Sequence, residues 1–198
     1  MPPTRRAASA SSLRGRAAPR GPCVVGTAKV TQEPIVEHAL VLAPGACNGA
    51  EAIARALAAL AASARRELRL HAPRLDDIVV GNGVVVDALR RFATRHARNR
   101  VRILVEETAT LLKDHDRLIA LARRLPEAIQ FREVEENDRG ARELYAVADQ
   151  SACLLQEDVG RYRAVVAADS PRENAQRVER FDELWDRATP VALWSLGL

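Results

Sequence analysis

One break in periodicity governs what this 198-residue chain can fold into. Before Gly140, apolar residues recur at helical spacing in three stretches, with short apolar strands between them. Ala50, Ile53, Leu57, Leu60 and Ala64 form the first stripe, and Leu68 and Leu70 mark a strand over 67–72. Val85, Leu89, Phe92 and His96 line the next helix, and residues 101–105 are a continuous apolar strand. A strand without alternation is expected where helices cover both faces of a sheet. Leu111, His115, Leu118, Ala122 and Leu125 make a third stripe, widened by Leu112 and Ile119, and Ile129 and Phe131 mark a further strand. After Gly140 the helices stop. Residues 144–148, 152–155 and 162–167 read as three strands in quick succession, joined at Asp149-Gln150 and Asp158-Val159-Gly160, which suit tight turns. A last helix runs from Pro171 to about Ala188, capped by Ser170 or Asp169, with Val178, Phe181 and Trp185 as its buried face. Helices and strands in alternation, then hairpins, predict an α/β sandwich with a mixed sheet. Its parallel part needs right-handed crossovers. A short strand is also expected over 38–42, broken by Pro44-Gly45.

Charge separates the chain into two parts. Residues 1–32 hold Arg5, Arg6, Arg14, Arg16, Arg20, Lys29 and no acid. The remaining 24 basic residues meet 26 acids, so residues 33–198 are slightly acidic although the whole chain carries +4. Residues 1–33 therefore read as a disordered, basic N-terminal tail and 34–198 as one α/β domain. Cys23, Cys47 and Cys153 are odd in number and far apart, which excludes a disulfide framework and a zinc-type Cys-x-x-Cys pair. Cys153 reads as a small core residue. No run of about 20 apolar residues exists to cross a bilayer, and the N-terminus lacks a secretory apolar core. The expected location is cytoplasmic. The excess of Arg and Ala fits a GC-rich bacterial composition.

Residues 66–73 (Arg-Glu-Leu-Arg-Leu-His-Ala-Pro), 97–105 (Ala-Arg-Asn-Arg-Val-Arg-Ile-Leu-Val) and 180–185 (Arg-Phe-Asp-Glu-Leu-Trp) stand in an order that resembles one repeat of the phospholipase D-like superfamily. The resemblance spans residues 45–190. It aligns Arg142-Glu-Leu-Tyr-Ala-Val-Ala-Asp149 with the family's His-x-Lys-x-x-x-x-Asp strand. Asp149 matches, whereas Arg142 stands at the histidine and Leu144 at the lysine. In the family, that histidine attacks phosphorus and the lysine holds a phosphate oxygen. A guanidinium stays protonated and cannot attack, and Leu144 carries no charge. The downstream Gly-Ser-x-Asn segment finds no counterpart at residues 156–159. A covalent mechanism needs both its nucleophile and its stabilising cation. The resemblance thus implies the fold without the reaction: a degenerate, catalytically inactive domain serving as an accessory, binding or assembly module. It implies pairing with a second copy, because two-motif members set two repeats face to face, or docking on a protein partner such as an acetyltransferase-type domain.

Candidate ligand-binding residues are Arg142 and Asp149 from the altered motif. His71, Arg74, Asp76 and Glu106 join them, because open α/β sheets collect ligands at the carboxyl ends of their strands. Asp77, Glu107 and Thr108 lie in the same loops. The acidic run Glu133, Glu135, Glu136 and Asp138 reads as a solvated loop. His96 and His115 read as packed or capping. No spacing among His38, His71, His96 and His115 suits a metal, and neither metal nor cofactor is expected. Arg90, Arg91, Arg95, Arg98 and Arg100 form a basic stretch that fits a polyanion but lacks interleaved aromatics for base stacking. Nucleic-acid binding is therefore an alternative, through the basic tail and residual motif groove. A third reading is a divergent phosphodiesterase using His71 and Asp149, or an acyltransferase-associated protein.

Overall fold

A computed structural model describes residues 40–108, 111, 116–168 and 170–193. The tail, His38, Lys113, His115 and Asp169 lie outside these residues. The described elements are β1 (Gly45–Asn48), α1 (Ala50–Ser63), β2 (Glu67–Ala72), α2 (Gly83–Arg95) and β3 (Arg100–Val105). They continue with α3 (Asp116–Arg124), β4 (Ile129–Glu133), a 3-10 turn (Glu136–Asp138), β5 (Leu144–Ala148), β6 (Ala152–Gln156), β7 (Arg163–Ala168), α4 (Pro171–Arg187) and β8 (Thr189–Pro190). The strands form one sheet in the order β1-β7-β6-β5-β2-β3-β4-β8. β2, β3 and β4 are parallel, and every other pairing is antiparallel. This is the mixed sheet flanked by helices that the periodicity predicts.

The sheet has two unlike faces. Leu68, Leu70, Ile103, Leu144, Ala146, Leu154 and Val166 join Ile53, Leu57, Leu60, Leu89, Phe92 and Leu118 of α1, α2 and α3 in the main core. Alternate residues of the same strands, Leu104, Tyr145, Val147 and Cys153, pack with Val178, Phe181, Leu184 and Trp185 of α4. Strand alternation assigns each residue to its face. Phe181 and Trp185 stack at 5.7 Å. Between them, Asp182 receives Arg69 at 3.1 Å and Arg102 at 2.9 Å. Arg69 also pairs with Glu67 at 2.8 Å. The motif at 180–185 is therefore the docking face of α4: two aromatics bury, and the carboxylate between them meets two cations of the sheet.

Three local expectations change. Among the described residues the first strand is Gly45–Asn48, after Pro44, and residues 40–42 of the expected strand are irregular. Leu40 and Leu42 instead pack against the main core, and Gly45 at φ 135° lets the chain turn into pairing with β7. His96 is not on the buried face of α2. It is the exposed C-cap in extended conformation, because the helix ends one residue earlier. Ser170 precedes α4 without a side-chain capping bond, and Pro171 supplies the preset first turn. The third helical stripe falls partly on residues 112–115, outside the described residues. Cys153 is buried as expected, and burial pushes its thiol up to about 11.

Candidate functional site

The parallel strands give the sheet two poles. Their carboxyl ends, the entry to β5 and the β6–β7 turn meet at one pole, here called the carboxyl pole. Three loops are tied together there. Arg142 donates to Asp158 at 3.0 Å from a largely exposed side chain. Asp158 also accepts the backbone N–H of Gly160 at 2.9 Å. That bond, reinforced by Arg142, holds its carboxyl below the usual range against some opposing desolvation. Gln156, buried inside the turn, donates to the carbonyls of Arg161 at 2.9 Å and Asp158 at 3.3 Å. Tyr162 donates its hydroxyl to Asp76 at 2.7 Å, and this bond and the carboxylate's charge raise the phenol's pKa. Asp76 in turn accepts Ile78 N–H at 2.9 Å, so the loop after β2 is fixed to the turn after β6.

Glu106 sets the entry to β5. Its carboxylate is 7% exposed and accepts the N–H groups of Gly140 at 2.8 Å and Ala141 at 3.0 Å. Those two residues lead directly into Arg142. Arg74 is exposed in the loop after β2, near enough to Tyr162 for its charge to act on the phenol. A cleft of about 330 Å³ is lined in part by Asn48, Leu155, Asp158, Arg161 and Val165.

The candidate residues do not converge. Arg142 and Asp149 stand at opposite ends of β5, roughly 20 Å apart at the rise of an extended strand. Asp149 is at the other pole, here called the amino pole. Its carboxylate accepts the N–H groups of Arg65, of Arg66 at 2.9 Å and of Glu67 at 2.7 Å. It thus pins the start of β2 to the β5–β6 turn. Asp149 and Gln150 both have positive φ, 49° and 72°, as the turn type requires. His71 is 3% exposed on the face beneath α4, opposite the face of Leu144. Its ring lies 5.2 Å from that of Tyr145. Neither ring nitrogen nor the Tyr145 hydroxyl has a hydrogen-bond partner among the described residues. Burial, assisted by Arg180, lowers the His71 pKa to about 4. The same burial raises that of Tyr145. His71 and Asp149 therefore do not form a catalytic pair.

Leu144, which the resemblance sets at the place of a lysine, is 2% exposed and part of the main core. The residues that organise the carboxyl pole and escaped the sequence reading are Gln156, Asp158 and Tyr162. The Asp-x-Gly of residues 158–160 marks the turn, but a turn signal does not reveal that its aspartate meets Arg142. Among the described residues, no three of His, Cys, Asp and Glu gather as metal ligands do, and no helix is long and apolar enough to cross a membrane.

This architecture is the phospholipase D fold. TrmBL2, an archaeal chromatin protein whose structure shows a novel mode of DNA binding, matches with a TM-score of 0.53 at 17% identity, over 80% of this chain and 58% of its own. Nuc, a phospholipase D family member from Salmonella typhimurium, matches at 0.53 and 14% over 68% of this chain and 88% of its own. Phosphatidylserine synthase from Haemophilus influenzae Rd KW20 matches at 0.54 and 12% over 79% and 41%. At these identities the likeness concerns the fold alone, and the chain spans little more than half of TrmBL2. No curated protein sequence matches it. A family model described as a domain of unknown function, DUF7931, matches residues 49–194. The chain belongs to that family.

Proposed function

We propose that this chain is a phospholipase D-fold domain that has lost phosphoryl transfer and acts by binding, as an accessory or assembly module. The observation that carries this reading is the altered motif strand. Leu144 is sealed in the core, and the Arg142 guanidinium is engaged by Asp158. Neither a nucleophile nor an uncommitted cation faces solvent from that strand. Pairing with a second copy or a protein partner is favoured by the half-covered second face. α4 lies over β2, β5 and β6, while Val165 on β7 stays 53% exposed.

The test combines turnover with mass. Hydrolysis of bis(p-nitrophenyl) phosphate and of a labelled oligonucleotide is expected to stay at the buffer rate. Sedimentation equilibrium is expected to show a dimer that Val165→Glu dissociates. Hydrolysis above background that disappears in Arg142→Ala or His71→Ala would overturn the non-catalytic reading. A monomer at all concentrations removes the second copy and leaves a different protein as the partner to seek.

A further inference from the structure

Basic residues are concentrated at the amino pole, opposite Arg142 and Leu144. Residues 88–105 contain Arg90, Arg91, Arg95, Arg98, Arg100 and Arg102 without one acid, and residues 52–66 contain Arg55, Arg65 and Arg66 without one. Folding brings the ends of these two stretches together. Arg100 N–H bonds the carbonyl of Arg66 at 3.0 Å, and β2 runs beside β3 from the pair Glu67 and Arg100. Arg95 reaches back from the last turn of α2 to the carbonyls of Ala62 and Ala64 at the end of α1. The turn that carries Arg98 closes by Asn99 N–H to His96 carbonyl at 3.0 Å, and Asn99 caps α2 through the Phe92 carbonyl at 2.8 Å.

These bonds divide the arginines by task. Arg95 and Arg100 bond backbone carbonyls, Arg90 pairs with Asp87, and Arg102 pairs with Glu67 and Asp182. The exposed side chains of Arg65, Arg66 and Arg98 have no partner among the described residues. The two acids that flank the arginines in the sheet, Asp149 and Glu67, are already engaged. Asp149 turns both oxygens to the N–H groups of residues 65–67, and Glu67 is held by Arg69 and Arg102. Arg65 and Arg66 border a shallow groove of about 360 Å³ with Arg69, Asp149 and Gln150.

We propose that Arg65, Arg66 and Arg98 form a binding surface for the phosphodiester backbone of double-stranded nucleic acid, at the amino pole and at the far end of β5 from Arg142 and Leu144. Guanidinium groups without an internal anion match phosphate by paired N–H donors and charge. The basic stretches expose no Phe, Tyr or Trp: Phe92 is buried, and the exposed His96 imidazole is a single small ring, not a platform on which successive unstacked bases could rest. The surface therefore contacts backbone and not bases, so binding is indifferent to sequence and steeply dependent on salt. The chemistry goes beyond the non-catalytic reading and does not depend on it.

The experiment is fluorescence anisotropy of the full chain with labelled duplex DNA and duplex RNA of arbitrary sequence, over a range of salt. Arg65→Gln/Arg66→Gln/Arg98→Gln is compared with wild type and with Arg142→Ala. Arg98→Gln alone serves as the variant farthest from Asp149, and urea midpoints check that each variant folds. The expected result is more than about tenfold weaker binding by the triple variant. Its salt slope should be shallower by about 0.9 for each lost phosphate contact, while Arg142→Ala binds as wild type. Equal binding by the triple variant and wild type overturns the proposal and moves the contact to residues 1–32 or elsewhere. Loss of binding in Arg142→Ala with the triple variant unaffected overturns it in favour of the motif pole. Absence of duplex binding at low salt, with retention of poly-glutamate, overturns it in favour of an acidic protein. Turnover assays on the same proteins report separately on the non-catalytic reading.

Discussion

Acidification should unfold this protein through His71. The imidazole is 3% exposed, neither nitrogen has a hydrogen-bond partner among the described residues, and its pKa is lowered to about 4 from an ordinary 6.5. Desolvation is the main cause, and Arg180 on α4 adds repulsion of the cation. A histidine whose folded pKa is depressed binds its proton more readily in the unfolded chain. Stability is then fully present above 6.5, declines as pH falls below it, and stops declining below about 4. The gap corresponds to about 3 kcal/mol in total, of which about 2 kcal/mol is lost by pH 5. His71→Leu keeps a similar volume, removes the titration, and also removes two unsatisfied buried nitrogens, so it should be neutral or stabilising at pH 7. Urea midpoints of wild type and His71→Leu, measured from pH 7.5 to 4.5, isolate this group from the carboxylates that both proteins share. The expected outcome is that the variant's advantage grows by about 2 kcal/mol between pH 7 and 5. Parallel profiles would refute the reasoning, because they would mean that the folded protein accepts the proton as readily as the unfolded chain.

Three substitutions test the rest of the framework by urea or thermal denaturation. Asp149→Ala removes the acceptor of three N–H groups and leaves alanine at positive φ, and should cost about 2–3 kcal/mol, with Asp149→Asn losing less because asparagine tolerates that conformation. Leu144→Ala empties a site 2% exposed in the main core and should cost about 2–4 kcal/mol. Gly81→Ala places a methyl group against the Asp77 side chain and 2.9 Å from its backbone, and should destabilise the loop after β2 by about 1–3 kcal/mol without affecting duplex binding at the amino pole.

Much of the fold was legible because its signals are local. Residues 67–72 read as a strand from Leu68 and Leu70, and they form β2. The stripe from Ala50 to Ala64 gives α1, and the change of pattern after Gly140 gives the β5–β6–β7 meander. In the described part of the strand expected over 38–42, Leu40 and Leu42 are apolar for another reason: they pack on the core from an irregular segment. The six candidate ligand-binding residues show the opposite limit. His71, Arg74, Asp76, Glu106 and Arg142 reach the carboxyl pole or its neighbourhood, as strand ends predict. What each side chain does there depends on residues far away in the chain. Asp76 is held by Tyr162, Arg142 by Asp158, and Glu106 by the N–H groups of Gly140 and Ala141. Asp149 goes to the other pole and binds backbone 82 to 84 residues away.

The sequence by itself determined the periodicities, and with them the elements and the mixed α/β class, and it set Arg142 and Leu144 on the strand that ends at Asp149. Those follow from spacing and residue chemistry, which need no partner. Tertiary structure alone decided which charges are spent and which remain. Sequence shows only arginines at 65, 66, 90, 91, 95, 98, 100 and 102. Folding engages Arg90, Arg95, Arg100 and Arg102 with carboxylates or carbonyls and leaves Arg65, Arg66 and Arg98 turned to solvent together, because hydrogen bonds and ion pairs form between whatever the strand register and helix ends bring within reach.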